Sequence, residues 1–246
     1  MFLAGVGAIA GCSGAATAAT TPSAPVSASS PAVSTPTHSP SSSSSPPKAA
    51  PAPPRTADSL KAALLELADL PSGFASEPAG GGATPKASSK DPKCAAFIQL
   101  SNDTAAPGST ANASTSFSGG QSGPFISESI DALANPAGVA ALQTRVKDAA
   151  ASCTKIRLAV PGVGTSTVTV ASVSAPKTGA SPVATRMTAV GGPMAGLEIT
   201  MVYTGVGDTI LALSFIGATP DEIDGATSDA VDKAAKVLGT VGTASS

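Results

Sequence analysis

The first 47 residues hold no charge: no Asp, Glu, Lys or Arg occurs before Lys48, and all 30 charged residues (14 basic, 16 acidic) follow it. From Ser13 to Ala57, 39 of 45 residues are Ala, Pro, Ser or Thr, ten of them proline, and Ser41 to Ser45 is an unbroken serine run. Such a stretch has too little apolar surface to offset the entropy of ordering, and its prolines remove backbone donors. Whatever this chain folds into must therefore be built from residue 58 onward. The composition predicts a disordered, partly extended spacer over residues 12–57, one folded domain over 58–242, and a short disordered tail over 243–246.

Ahead of the spacer, residues 1–11 are small and apolar and end in Ile9-Ala10-Gly11-Cys12. The run is too short to span a bilayer, which takes about 20 residues, and suits the apolar region of a secretory signal. Its last four residues match the bacterial lipobox: an aliphatic residue, two small residues, then Cys. That pattern implies cleavage before Cys12, a diacylglycerol on its sulfur, and stable anchoring, since two acyl chains hold where one is marginal. A signal ordinarily opens with Lys or Arg, and this one has neither: either the true start lies further upstream or the segment is not a functional signal. The expected location is the extracytoplasmic face of the cell membrane, lipid-anchored, with the membrane as one partner.

Three cysteines are present. With Cys12 lipidated, Cys94 and Cys153 remain, and outside the cytoplasm such a pair oxidises. Closing a loop of that length is worth roughly 4 kcal/mol in the chain-entropy description. Two thiols without a His or a second Cys pair make a poor zinc site, and no Cys-x-x-Cys is present, so neither a metal nor a redox role is expected.

The inventory excludes much chemistry. A net charge of −2 gives no basic stripe for nucleic acid. Six Phe, one Tyr and no Trp supply few stacking platforms. The single His, His38, lies in the spacer, so a Ser-His-Asp site has no His in the domain. Ser152 and Lys155 have Ser-x-x-Lys spacing, but Cys153 between them is structural. Glu128 and Asp131 sit three apart on a strand, where alternation sends them to opposite faces. Asp221, Glu222 and Asp224 crowd a helix N-terminus, where the helix dipole accounts for them. Asn102 and Asn112 fit the N-glycosylation pattern and read as polar loop residues. No cofactor and no catalytic residue is expected. Two weak ligand-binding candidates are Glu198, which interrupts an apolar strand, and Arg186 on a neighbouring strand, within reach as a cross-strand ion pair.

Along the domain, Asp58 to Leu67 reads as a helix with Leu60, Leu64 and Leu67 on one face, stopped by Pro71. A short helix follows around Cys94, Phe97 and Ile98. Strands fit residues 113–118 and 125–130. Asn135-Pro136 opens a helix as N-cap and first residue, with Val139, Leu142 and Val146 at helical spacing and Cys153 continuing the stripe. Strands rich in Val, Ile and Thr then fit 155–160, 166–173, 183–190 and 197–204. Gly207-Asp208 turns the chain into Thr209 to Ile216, apolar on both faces and so central. Thr219-Pro220-Asp221-Glu222 is a capping box that opens a last helix to about Leu238. Together these predict an α+β domain: an antiparallel sheet of about five to seven strands, helices packed on one face, and one disulfide.

Those residues resemble a family. Leu70-Pro71-Ser72-Gly73-Phe74 after the first helix, Cys94 in a short helix, Ile126 to Ile130 leading into the Asn135-Pro136 helix that ends at Cys153, the Gly207-Asp208 hairpin and the final helix are together similar to actinobacterial secreted lipoproteins with a PknH-like extracellular sensor domain. The resemblance covers residues 57–241. It implies a curved antiparallel sheet flanked by helices, with a cleft for an unidentified ligand and no catalytic residue. Family members often have a second disulfide and an aromatic residue before the helix-terminal Cys; here residues 149–151 are Ala. The expectation is a monomeric, non-enzymatic envelope lipoprotein that binds a ligand or protein partner in a cleft, as a sensor-like domain or adaptor. The alternative is a lipid or glycolipid carrier that holds an acyl chain in an apolar cavity of several hundred Å³.

Overall fold

Runs of β-branched and small residues that alternate in polarity set most of the chain beyond residue 110 into strands. The computed structural model describes residues 54–77, 84–120 and 123–239. The chain divides into two units, Met1–Ala50 and Pro51–Ser246, and every element named below belongs to the second. The signal segment, Cys12, His38, most of the spacer and the 243–246 tail lie outside the described residues.

In chain order the elements are α1 (Ala57–Lys61), β1 (Ala75–Ser76), β2 (Lys86–Ser88), α2 (Ala95–Asn102), β3 (Ala111–Ser118), β4 (Phe125–Ala132), α3 (Pro136–Ser152), β5 (Lys155–Val160), β6 (Gly164–Val173), β7 (Ala180–Gly191), β8 (Glu198–Val206), β9 (Thr209–Ile216) and α4 (Pro220–Leu238). The strands form one antiparallel sheet in the order β1-β3-β4-β9-β8-β7-β6-β5-β2. Strands β5 to β9 run as a meander. Helix α3 carries the chain from β4 to β5 on the far side of the sheet, and β9 closes back beside β4.

Nine strands exceed the expected five to seven. The surplus is largely β1 and β2, two and three residues long at the two edges. A strand that short has no periodicity to detect, and its pairing is set by distant residues.

The helices also depart from expectation: they cover both faces of the sheet, not one. On one face Ile126, Ile130, Val202, Leu211, Leu213 and Phe215 pack with Leu60 and Leu64 and with Ile223, Ala230 and Ala234 of α4. On the other, Ile156, Val168, Val170 and Met187 pack with Phe97, Ala149, Ala150 and the two cysteines. Ile210 there meets Val139, Leu142 and Val146 of α3. The reason lies in β9, which sends Leu211 and Leu213 one way and Ile210 the other, so both faces need apolar cover. The two helix pairs sit over different parts of the sheet. The α4 face is left uncovered at Lys155 and Arg157 of β5 and Ala171 of β6, whereas Ala184 of β7 is buried in the α4-side core; the α3 face is left uncovered at Asn112 and Ser114 of β3.

On strand β8 the buried set is Thr200, Val202 and Thr204, whereas Met201 and Tyr203 on the other face are half-buried. The threonines are tolerated beneath α4 because they are small, and Thr204 Oγ1 donates to the Thr178 carbonyl at 2.8 Å.

Local signals set the starts of the two long helices. Asn135 caps α3 by accepting from the Gly138 N–H, with Pro136 at the first position. Thr219 and Glu222 form a reciprocal capping box at α4, which ends at Gly239 in the left-handed region (φ 69°). Helix α1 is shorter than expected. Thr56 and Ser59 cap it, and it stops at Lys61. A few residues on, the Leu65 N–H donates to the buried Glu128 carboxylate at 2.7 Å instead of to a helical carbonyl. Leu67 is consequently 44% exposed rather than on the buried stripe. The folded unit also begins earlier than residue 58. Arg55 binds the Asp208 carboxylate at 3.0 Å and the Leu238 carbonyl at 2.8 Å, tying the incoming chain to the β8–β9 turn and the end of α4.

Candidate functional site

Between α3, the segment that follows α2, and the α3 face of β4, β8 and β9 lies a cleft of about 150 Å³. Its walls are mostly apolar: Leu100, Leu142, Val146, Met201, Ile210 and Ala212. Polar residues line it too, Tyr203 and Asp131 among them. Tyr203, the only tyrosine in the chain, is half-buried, with burial holding its phenol up at about 12, so it stays a neutral donor. Among the described residues its hydroxyl makes one hydrogen bond, to the Met201 sulfur at 3.8 Å, a weak acceptor. Asp131 is 4% exposed and accepts from the Ala106 N–H at 3.0 Å through one carboxylate oxygen. An apolar hollow with a phenol donor and a carboxylate acceptor suits a small ligand or a single inserted side chain that carries a polar tip.

Sequence reasoning does not single out Tyr203 and Asp131 as binding residues. The only available signals are a lone Tyr on the Leu197–Ile199–Met201 alternation and an Asp flanked by Ile130 and Ala132. The cleft is made by α3 crossing from one side of the sheet to the other, which alternation does not report.

Glu128 lies on the opposite face of β4 from Asp131, as alternation requires. It is 1% exposed, with one oxygen on the Leu65 N–H and the other, Oε1, without a partner among the described residues. Burial raises its carboxyl to about 7; the Leu65 amide and the charge of Lys233 pull against that, and Asp69 adds to it. Lys233 itself bridges to Asp69 at 2.6 Å and Glu66 at 3.1 Å, locking the chain around residues 66–69 onto α4.

The two binding candidates from sequence share a face but do not pair. Register places Arg186 opposite Thr200 and Glu198 opposite Thr188, a diagonal offset of two residues, and no ion pair joins them. Glu198 is exposed; Arg186 lines a separate cleft beside the start of α4. Ser152 and Lys155 are both exposed, and the serine hydroxyl donates to the Asp148 carbonyl within α3. Asn102 is structural: its amide grips Ala87 of β2 through both the backbone N–H and carbonyl, at 2.9 Å each. Cys94 and Cys153 are bonded to each other, 59 residues apart in sequence, beneath α2 and α3. Among the described residues no group of three or more His, Cys, Asp or Glu could hold a metal ion, and no helix is long and apolar enough to cross a membrane.

No family model and no curated protein matches the chain. Among solved structures, the extracellular domain of PknH from Mycobacterium tuberculosis is similar, with a TM-score of 0.56 and 17% identity, covering 75% of this chain and 98% of that one. The domain thus has a PknH-like fold, and at that identity the likeness carries the fold alone.

Proposed function

We propose that the chain is a non-enzymatic, lipid-anchored domain on the outer face of the cytoplasmic membrane. Its folded unit would act as a sensor-like or adaptor module that receives a small ligand, or one side chain of a partner protein, in the Tyr203–Asp131 cleft. The observation that carries this reading is the phenol hydroxyl of Tyr203, turned toward an apolar hollow with only a thioether to donate to. A donor so placed gains a full hydrogen bond when a ligand acceptor enters, at little cost in reorganisation. The lipobox ending at Cys12, the charge-free spacer, the disulfide and the likeness to an extracellular domain support the envelope location.

Carriage of an acyl chain is the weaker reading. At about 150 Å³ the cleft falls below the roughly 300 Å³ at which drug-sized ligand pockets begin. The larger depression bounded by Glu66, Asp69, Asp232 and Lys233 is open and rimmed by charge.

Photo-crosslinking in the intact envelope tests the proposal. A photoreactive amino acid in place of Leu100, on the cleft wall, is expected to give one discrete adduct. The same residue in place of Val190, 56% exposed on a distant part of the sheet, is expected to give none. Identical adducts from both positions would overturn the assignment.

A further inference from the structure

The bare part of the α4 face ends, beside the start of α4, in a second cleft of about 240 Å³. Arg186 and Thr200 lie on adjacent strands in direct register at its base, and Val173, Pro176 and Ile223 give it apolar sides. The guanidinium of Arg186 makes no hydrogen bond to any described residue, and its Nε is shut off from solvent without a partner. A buried N–H donor left in that state has lost its water without gaining a partner, which is costly. Arginine forks are suited to planar oxyanions, which take two parallel hydrogen bonds and repay that cost in one contact.

The surroundings favour an anion of low charge. By the pairing register, Lys86, Lys155 and Arg157 share the face of Arg186, with Glu198 as the one acidic side chain on those strands, so approach across the bare sheet is toward positive potential. On the opposite side, Asp224 of α4 lines the same cleft without reaching ion-pair distance of Arg186, and Asp221 and Glu222 stand in the first turn, where Glu222 is held by Thr219. A dianionic phosphate would be repelled by Asp224, whereas a monoanionic carboxylate is better tolerated.

We propose that this cleft is a second binding site, separate from the Tyr203 cleft, which takes a small aliphatic carboxylate: its oxygens on the Arg186 fork and the Thr200 hydroxyl, its hydrocarbon part against Val173 and Ile223. A ligand with so few heavy atoms is expected to bind weakly, in the millimolar range.

The test is a titration of the isotope-labelled full chain with isovalerate and, separately, with inorganic phosphate, followed by amide chemical shifts. Saturable isovalerate shifts are expected at Arg186, Thr200 and Ile223. Weakening is expected to be about tenfold or more in Arg186→Gln and several-fold in Thr200→Val, with the remaining spectrum unchanged to show that both variants fold. Absence of saturation overturns the proposal. So does equal response to phosphate, which means unselective anion attraction, or an undiminished response in Arg186→Gln. Shifts confined to Tyr203 and Asp131 would also overturn it while leaving the first cleft standing.

Discussion

Replacing Glu128 with Gln should remove a pH dependence that the wild-type fold carries in its core. The carboxyl titrates near 4.5 in an unfolded chain and near 7 when folded. The folded state therefore holds that proton more tightly, by about 3 kcal/mol. The stabilisation is fully present below about pH 4.5, falls as pH rises through 7, and is absent above. Most of it, roughly 2–3 kcal/mol, is lost between about pH 5 and 8, equivalent to roughly 5–10 °C in Tm for a domain of this size. The Gln side chain can still accept from the Leu65 N–H, and it does not ionise. Its constant cost or gain at the position of Oε1 cancels when one variant is compared with itself at two pH values. Urea denaturation of both proteins at about pH 5 and 8 is the assay. The stability difference, Gln variant minus wild type, is expected to rise by roughly 2–3 kcal/mol over that interval. Asp69, held low by its Lys233 hydrogen bond against the pull of burial, and Lys233, held high by the same contact, titrate outside this window and are common to both proteins. Parallel pH profiles would refute the claim that Glu128 is a desolvated acid pinning the chain at Leu65.

Three further outcomes follow from the same structure. Reduction of the Cys94–Cys153 bridge, or Cys94→Ser with Cys153→Ser, should destabilise the domain by about 2–5 kcal/mol in urea titrations, loosening α2 and β2 first by hydrogen exchange. Gly192→Ala should cost roughly 3 kcal/mol or more, read as a lowered Tm, because Gly192 has φ +88° and a Cβ there would stand 2.6 Å from the Thr165 carbonyl oxygen. Cys12→Ala should block processing or release the protein to the medium in cell fractionation; a processed mutant still held by the membrane would sink the lipobox reading.

What is legible in the sequence is what is decided locally. Asn135-Pro136 and the Thr219–Glu222 box place the starts of α3 and α4 because a cap satisfies the first amides of its own helix. The long strands β5 to β9 are readable because Val, Ile and Thr cluster between glycine-bearing turns. The pairing of Cys94 with Cys153 follows from counting. What sequence reasoning misses depends on distant partners. Helix α1 ends early because a strand residue more than sixty positions away captures Leu65. The edge strands β1 and β2 exist only through β3 and β5. Alternation in β9 shows that both of its faces are apolar, but not that separate helix pairs cover them. Arg186 and Glu198 read as neighbours on adjacent strands, yet a two-residue offset in register keeps them apart. Tyr203 and Asp131 line one cleft because β9 pairs with both β4 and β8 while α3 covers that face, and no short-range pattern records either.

If the Tyr203–Asp131 cleft is the binding site, its occupant is small. Native mass spectrometry of the chain secreted by an actinobacterial host, run beside Ala212→Phe, which fills the cleft from β9, decides the matter. Any added mass on the wild type is expected to be a small, water-extractable species. It is expected to be missing from the variant, while the disulfide-bonded protein mass is otherwise unchanged. A stoichiometric added mass that extracts into organic solvent, or one that survives in Ala212→Phe, would contradict the assignment and point to acyl-chain carriage instead.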